Sequence, residues 1–254
     1  MMTNKILVFI LALLMTAGLC QAQEELPVFP ADRPGYTWGV EVLPLHKVSW
    51  ENGIGYESTP DGAHTMTLNT TIVRYGIFQN MELRVGTDFL LSNDGQAKEP
   101  TFGVAPLTIG TKLKVYESTN WLPSIGLLAE FKSPHIGSKE QLPSHLAPSM
   151  YVLFEHSINW FNLCYNVGLK WDGETATPQT FLALALGFNI TDNVATFIES
   201  YNYLHPIEAN QHMTEFGVTW MVTRRLQLDI ECDLDLQHFG KYYAIGGGVA
   251  WMIN

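Results

Sequence analysis

The chain has 254 residues, with 14 lysines and arginines against 25 aspartates and glutamates and a formal charge of −11. That balance excludes a nucleic-acid binder, because nothing here would neutralise phosphates. Beyond the first 22 residues no stretch reaches the ~18 uninterrupted apolar residues that a membrane helix needs.

At the start of the chain, Lys5 precedes an apolar run from Ile6 to Met15, then Thr16, Ala17 and Gly18. Cys20-Gln21-Ala22-Gln23 follows, with small residues at the cleavage-determining positions. Residues 1–22 therefore read as a secretory signal peptide cut after Ala22. A lipoprotein anchor on Cys20 is the rival reading, disfavoured by Leu19 just before it. Residues 23–35 follow as an expected periplasmic N-terminal segment, and 36–254 as a β-barrel domain.

The rest is strand upon strand. Expected strands lie near 36–50, 66–76, 81–92, 104–116, 122–132, 147–156, 160–171, 179–190, 194–204, 211–222, 225–236 and 242–253. Each is close to the ~9–11 residues that cross a bilayer at a tilt. The segment 225–237 shows the pattern most plainly. Leu226, Leu228, Ile230, Cys232, Leu234 and Leu236 alternate with Arg225, Gln227, Asp229, Glu231, Asp233, Asp235 and Gln237. Side chains alternate faces along a strand, so this is an apolar wall backed by an acidic one. Alone, such a strand favours a soluble protein, because half-buried antiparallel strands are common there.

The connections favour the membrane. Those at 76–80, 117–120, 157–159, 191–193 and 223–224 are short. Those at 51–65, 93–103, 133–146, 172–178, 205–210 and 237–241 are mostly longer, and the two kinds alternate. An up-and-down outer-membrane barrel has tight periplasmic turns and longer outer loops; Greek-key crossovers give no such alternation. Aromatic residues near the expected strand ends, including Tyr36, Trp38, Trp50, Tyr75, Trp121, Trp160, Trp171, Trp220 and Trp251, suggest interfacial girdles. The fold expected is all-β, an up-and-down antiparallel transmembrane β-barrel of about twelve strands. Cys164 and Cys232 fall on opposite walls of the sheet and are expected to be free thiols.

Three segments carry a resemblance to a known family. They are Ala31-Asp32-Arg33-Pro34-Gly35 with the run from Val42 to Gly53, the stretch from Leu68 to Gly86, and Pro106 to Lys112. They resemble the MetA-pathway-of-phenol-degradation family of outer-membrane β-barrels, whose members are regarded as transporters. The end of the chain, Trp251-Met252-Ile253-Asn254, departs from many such barrels in lacking a terminal aromatic residue. The resemblance brings no catalytic residues with it.

Given a barrel, the polar faces assign a lumen. Asp229, Glu231, Asp233, Asp235, Glu215 and Glu199 are its acidic candidates, and Arg74, Arg84, Lys112, Lys114 and Lys132 its basic ones. The basic residues lie on early strands and the acids on late ones, so the two sectors should face each other across the lumen. Either the acids meet water and bias a pore toward cations, or they meet arginine and lysine and hold the barrel shut.

No nucleophile elbow, zinc-binding helix motif, P-loop or dinucleotide fingerprint is present, and the scattered histidines have no ligand spacing. An enzyme, a metal site and a cofactor are therefore not expected. The expectation is a transporter or channel for small solutes, aromatic or other small organic compounds among them. It would lie in the outer membrane of a Gram-negative bacterium, with outer-membrane lipid, the solute and the barrel-assembly machinery as partners. A structural or adhesive barrel without transport, a barrel hydrolase and a soluble exported β-barrel are the alternatives.

Overall fold

A computed structural model describes residues 29–95, 99–119, 121–158, 160–206 and 209–253. The expected signal peptide lies outside the described residues. The strands are β1 (Val48–Ser58), β2 (His64–Phe78), β3 (Met81–Asn93), β4 (Thr101–Val104), β5 (Thr108–Tyr116), β6 (Ser124–Lys132), β7 (Ala147–Ile158), β8 (Phe161–Lys170), β9 (Gln179–Asn189), β10 (Val194–Leu204), β11 (Gln211–Thr223), β12 (Leu226–Asp235) and β13 (Tyr243–Ile253). Neighbours in sequence are neighbours in the sheet, and β1 pairs with both β2 and β13. All pairings between these strands are antiparallel. The sheet therefore closes on itself through β1, the condition for strands to cross a membrane.

Thirteen strands make twelve barrel positions, because β4 and β5 both pair with β3. The interruption is Ala105-Pro106-Leu107. Proline has no N–H to give a ladder, and the freed groups bond elsewhere. Leu107 donates to Ile136 O and Ser133 donates to Leu107 O, at 2.8 and 2.9 Å, stitching the 133–146 loop to the break.

The wall has one apolar and one polar face. On β12, Leu228 and Ile230 are 39% and 56% exposed, whereas Gln227 and Asp233 are 7% and 5%. The same exterior continues around the barrel through Leu83, Val85, Leu127, Val167, Leu184, Ile198, Val218 and Ile245. Polar groups outnumber apolar ones among the fully buried side chains of the early strands, with Arg74, Lys112, Glu51 and Glu82 all below 2% exposure. The exterior is thus oily, and the interior joins this charged sector to a buried apolar cluster that includes Leu128, Leu153, Phe181 and Met213. Exposed Trp50, Trp121, Trp160, Trp220 and Trp251 gather at the short-turn end, where their amphipathic rings suit an interface. Cys164 and Cys232 are free.

The first expected strand, 36–50, is not found. The ladder starts at Val48 and runs on through residues expected to be a loop, up to Ser58. Residues 29–47 join no ladder and lie inside the barrel. Tyr36 and Trp38, expected at an interfacial girdle, stack instead on lumen rings: Tyr36 on Tyr201 at 4.2 Å and Trp38 on Tyr151 at 4.8 Å.

Candidate functional site

The segment 29–47 is a loop pushed into the barrel from the short-turn end. Its start packs there, with Phe29, Leu43, Ala250 and Met252 in one buried cluster. Its end returns there, where His46 donates to Gly76 O and Gly76 to Lys47 O. Between these ends, Tyr36 and Trp38 reach the middle of β10 and β8.

A backbone away from water needs partners for its N–H groups, and lumen carboxylates supply them. Asp32 and Arg33 N–H groups donate to Glu51 on β1, at 3.1 and 3.2 Å. Tyr36 and Thr37 donate to Glu199 on β10, at 2.8 and 3.1 Å. Val40 donates to Glu155 on β7 at 2.7 Å, and Leu43 to Glu82 on β3 at 2.8 Å. Asn166 acts like a strand partner for Trp38, accepting its N–H at 2.8 Å and donating to its carbonyl at 3.0 Å. Of the expected acidic candidates Glu199 is one of these carboxylate acceptors; Glu51, Glu82 and Glu155 are the others.

Side chains tie the loop down onto two sectors of the wall. Asp32 meets Lys112 Nζ at 2.6 Å, Arg84 at 2.5 Å and Arg74 at 3.6 Å. Arg74 also contacts Glu51 at 2.7 Å and Glu82 at 2.8 Å, and donates to Pro30 O at 2.7 Å. Arg33 holds the other sector, with Asp229 at 3.0 Å and Glu231 at 3.3 Å. Two glycines make room for it. A Cβ at Gly53 would lie 2.3 Å from Arg33 Nη1, and one at Gly248 would lie 2.4 Å from both Arg33 Nε and Asn52 O.

The remaining lumen candidates have distinct surroundings. Asp233 accepts from the Tyr201 hydroxyl at 2.8 Å. Asp235 accepts from the N–H groups of Gln237 and His238 and from the His238 ring at 2.8 Å. Glu215 pairs in register with Glu199 on one side and Asp233 on the other; it is fully buried and its carboxylate oxygens accept no hydrogen bond. Lys114 lies at the short-turn end against Glu41 and Glu117, both at 3.1 Å. Lys132 sits toward the long-loop end, on a cavity wall. Missed by sequence reasoning were Asp32, Arg33, Glu51, Glu82 and Glu155 as the anchors of a plug.

Three spaces lie around the loop's tip, of about 260, 450 and 310 Å³, each lined in part by Tyr36. At the long-loop rim, Ser144 N–H donates to Glu174 at 2.8 Å, joining two loops. Asp172 there accepts the N–H groups of Thr175 and Glu174, which hold its carboxyl below the usual range.

A closed barrel with an oily exterior and a charged, loop-filled lumen defines a transmembrane β-barrel. The chain belongs to the family described as "Putative MetA-pathway of phenol degradation", whose model matches residues 31–253. Among solved structures it is similar to the COG4313 outer membrane channel from Pseudomonas putida F1, with a TM-score of 0.65 at 12% identity, covering 84% of this chain and 98% of that one. It is also similar to the KdgM porin in complex with disordered oligogalacturonate, with a TM-score of 0.58 at 9% identity over 81% and 99% of the two chains. The NanC porin matches with a TM-score of 0.54 at 12% identity over 80% and 100%. Comparison with curated proteins gives no match.

Proposed function

We propose that the protein is an outer-membrane channel for small solutes whose own N-terminal loop narrows it from the periplasmic side. The observation that carries this reading is the docking of residues 29–47 through Asp32 and Arg33 onto two different sectors of the wall, β2 to β5 and β12. Ion pairs and backbone hydrogen bonds can be remade by water and solute, whereas an oily core cannot. A barrel that served only as a scaffold would be filled most simply by apolar side chains.

The named lumen residues fit this role. Arg74, Arg84 and Lys112 hold the loop on the basic side, and Asp229, Glu231 and Glu199 on the acidic side. The family and its channel-like neighbours agree with a non-enzymatic role. The short-turn end, which carries both ends of the sheet, then faces the periplasm. Export by a signal peptide at 1–22, residence in a Gram-negative outer membrane and folding by the barrel-assembly machinery complete the reading.

Planar-bilayer recording of purified protein tests it. Wild type is expected to show small, fluctuating steps, and the double variant D32N/R33Q larger and longer ones. Absence of current from both, with heat-modifiable gel mobility intact, would replace the channel with a structural barrel.

A further inference from the structure

The cavity of about 260 Å³ above the loop has a composition that the plug does not explain. Lys132 on β6 and Lys170 on β8 both line it, together with Ser149 on β7 between them. In register, Lys132 lies opposite Ala147, and Ser149 opposite Lys170. Every other lumen cation named above has a carboxylate partner. Lys132 and Lys170 have none within 4 Å among the described residues, and Lys170 Nζ lies over the Tyr203 ring, at 4.9 Å. Glu130, on the same strand as Lys132, is taken by Arg84 at 2.9 Å. Asp88 on β3 also lines the cavity and attracts Lys132 across it, without an ion pair within 4 Å.

Aromatic rings stand beside this pair. Tyr151, Phe181 and Tyr203 lie on β7, β9 and β10, with Tyr151 and Phe181 edge to face at 5.5 Å and Phe181 and Tyr203 at 5.2 Å. Gly168, between Tyr151 and Phe181 in the register, leaves the space that the Tyr151 ring occupies, since a Cβ there would lie 2.3 Å from it. Trp38 of the inserted loop completes the floor, packed on both Tyr151 and Phe181.

We propose that Lys132, Lys170 and Ser149 form a carboxylate subsite, and that with Trp38, Tyr151 and Tyr203 they bind a small aromatic monocarboxylate on the outer side of the plug. Two unpaired ammonium groups and a hydroxyl supply charge-assisted hydrogen bonds to one carboxylate. The rings supply an apolar, stackable surface for the rest of the ligand. The volume suits a single ring, being at the lower end of small-molecule pockets. Trp38 ties the site to the plug, so occupancy would be felt by the segment that narrows the channel. The inference rests on the channel reading for its biological sense, but the binding site itself does not need transport.

Isothermal titration of detergent-solubilised protein with benzoate tests it, with benzyl alcohol and acetate as probes lacking the charge or the ring. Saturable benzoate binding is expected, at least tenfold tighter than either control, and at least tenfold weaker in K132Q/K170Q. Heat-modifiable mobility checks that this variant folds. The conservative pair K132R/K170R should retain binding. Benzoate that fails to saturate, or binds the glutamine variant equally well, overturns the proposal. Liposome swelling with arabinose, an uncharged solute, reports the channel reading separately. Swelling without benzoate binding removes the subsite and leaves the channel; binding without swelling does the reverse.

Discussion

Asp32 and Arg33 are adjacent in the chain and hold two sectors of the barrel wall that β1 and β13 separate. The carboxylate of Asp32 reaches Lys112, Arg84 and Arg74 on β5, β3 and β2, while the guanidinium of Arg33 reaches Asp229 and Glu231 on β12. The basic and acidic sectors of the lumen therefore scarcely meet each other. They meet through a two-residue bridge of opposite charge. Asp32 is the more committed half, 4% exposed against 13% for Arg33. Removing one partner of a buried ion network costs ~3–5 kcal/mol because the others stay behind uncompensated. Asp32→Asn is therefore expected to loosen the loop more than Arg33→Gln, seen as a greater rise in mean single-channel conductance. Equal conductance in both variants and wild type would show that the bridge does not hold the loop.

The two glycines around Arg33 should behave differently. At Gly53 the added methyl meets only the tip of Arg33, a flexible group that can retreat. At Gly248 it also meets the carbonyl of Asn52, which the ladder fixes. Gly53→Ala is expected to weaken the Arg33 bridge in wild type and to change little in an Arg33→Gln background. Gly248→Ala should remain destabilising in both, by ~1–3 kcal/mol for overpacking. Urea unfolding of the four variants in lipid vesicles measures this double-mutant cycle.

The barrel was legible in the sequence because its wall is two-faced. Alternation along 225–237 and the alternating connection lengths both follow from a closed meander with lipid on one side. The plug was hidden by the same alternation. Tyr36, Trp38 and Val40 recur every second residue, and all three face one lumen cluster that includes Tyr151 and Phe181. A segment crossing a polar lumen opposite a row of aromatic residues has a strand's period without a strand's ladder. Meanwhile Gly53 and Gly55 made the true first strand look like a loop, although at least Gly53 is there for Arg33. The charged sectors could be read, but their partners could not, since Asp32 and Arg33 contact residues far away in sequence.

Glu199 and Glu215 face each other across β10 and β11 yet should respond oppositely. Glu199 accepts two loop N–H groups, so Glu199→Ala leaves the Tyr36 and Thr37 amides without acceptors, at ~1–3 kcal/mol each. Glu215 accepts none and sits between two other acids. Glu215→Gln keeps the shape and adds donors that can face the neighbouring acids, so it should be neutral or stabilising. Amide exchange in detergent is the measurement: Tyr36 and Thr37 should exchange faster in Glu199→Ala and no faster in Glu215→Gln. Faster exchange in both would mean that the Glu215 carboxyl matters to the plug.

The four acids of β12 are not equivalent contributors to a cation-attracting surface. Asp229 and Glu231 are engaged by Arg33, and Asp235 by the turn that follows it. Replacing Asp229, Glu231, Asp233 and Asp235 together by Asn or Gln should lower any cation preference and also raise conductance, because Arg33 loses both partners. Reversal potentials in a salt gradient separate the two effects. An unchanged reversal potential removes the cation-bias reading even if conductance rises.

The exterior makes a prediction that separates a membrane barrel from a soluble one. Leu184 lies midway along β9 and is 48% exposed, while Trp220 lies near the short-turn end of β11 and is 49% exposed. In water, two equally exposed side chains would tolerate arginine about equally. In a bilayer the cost depends on depth, ~2–4 kcal/mol at the midplane and ~0–1 kcal/mol near the interface. Leu184→Arg should therefore destabilise the barrel several-fold more than Trp220→Arg when unfolded by urea from lipid vesicles. The difference should shrink in a detergent micelle, whose charged or polar shell an arginine reaches more easily. Equal costs in vesicles would mean that the apolar wall does not face hydrocarbon, and the channel reading would lose its membrane.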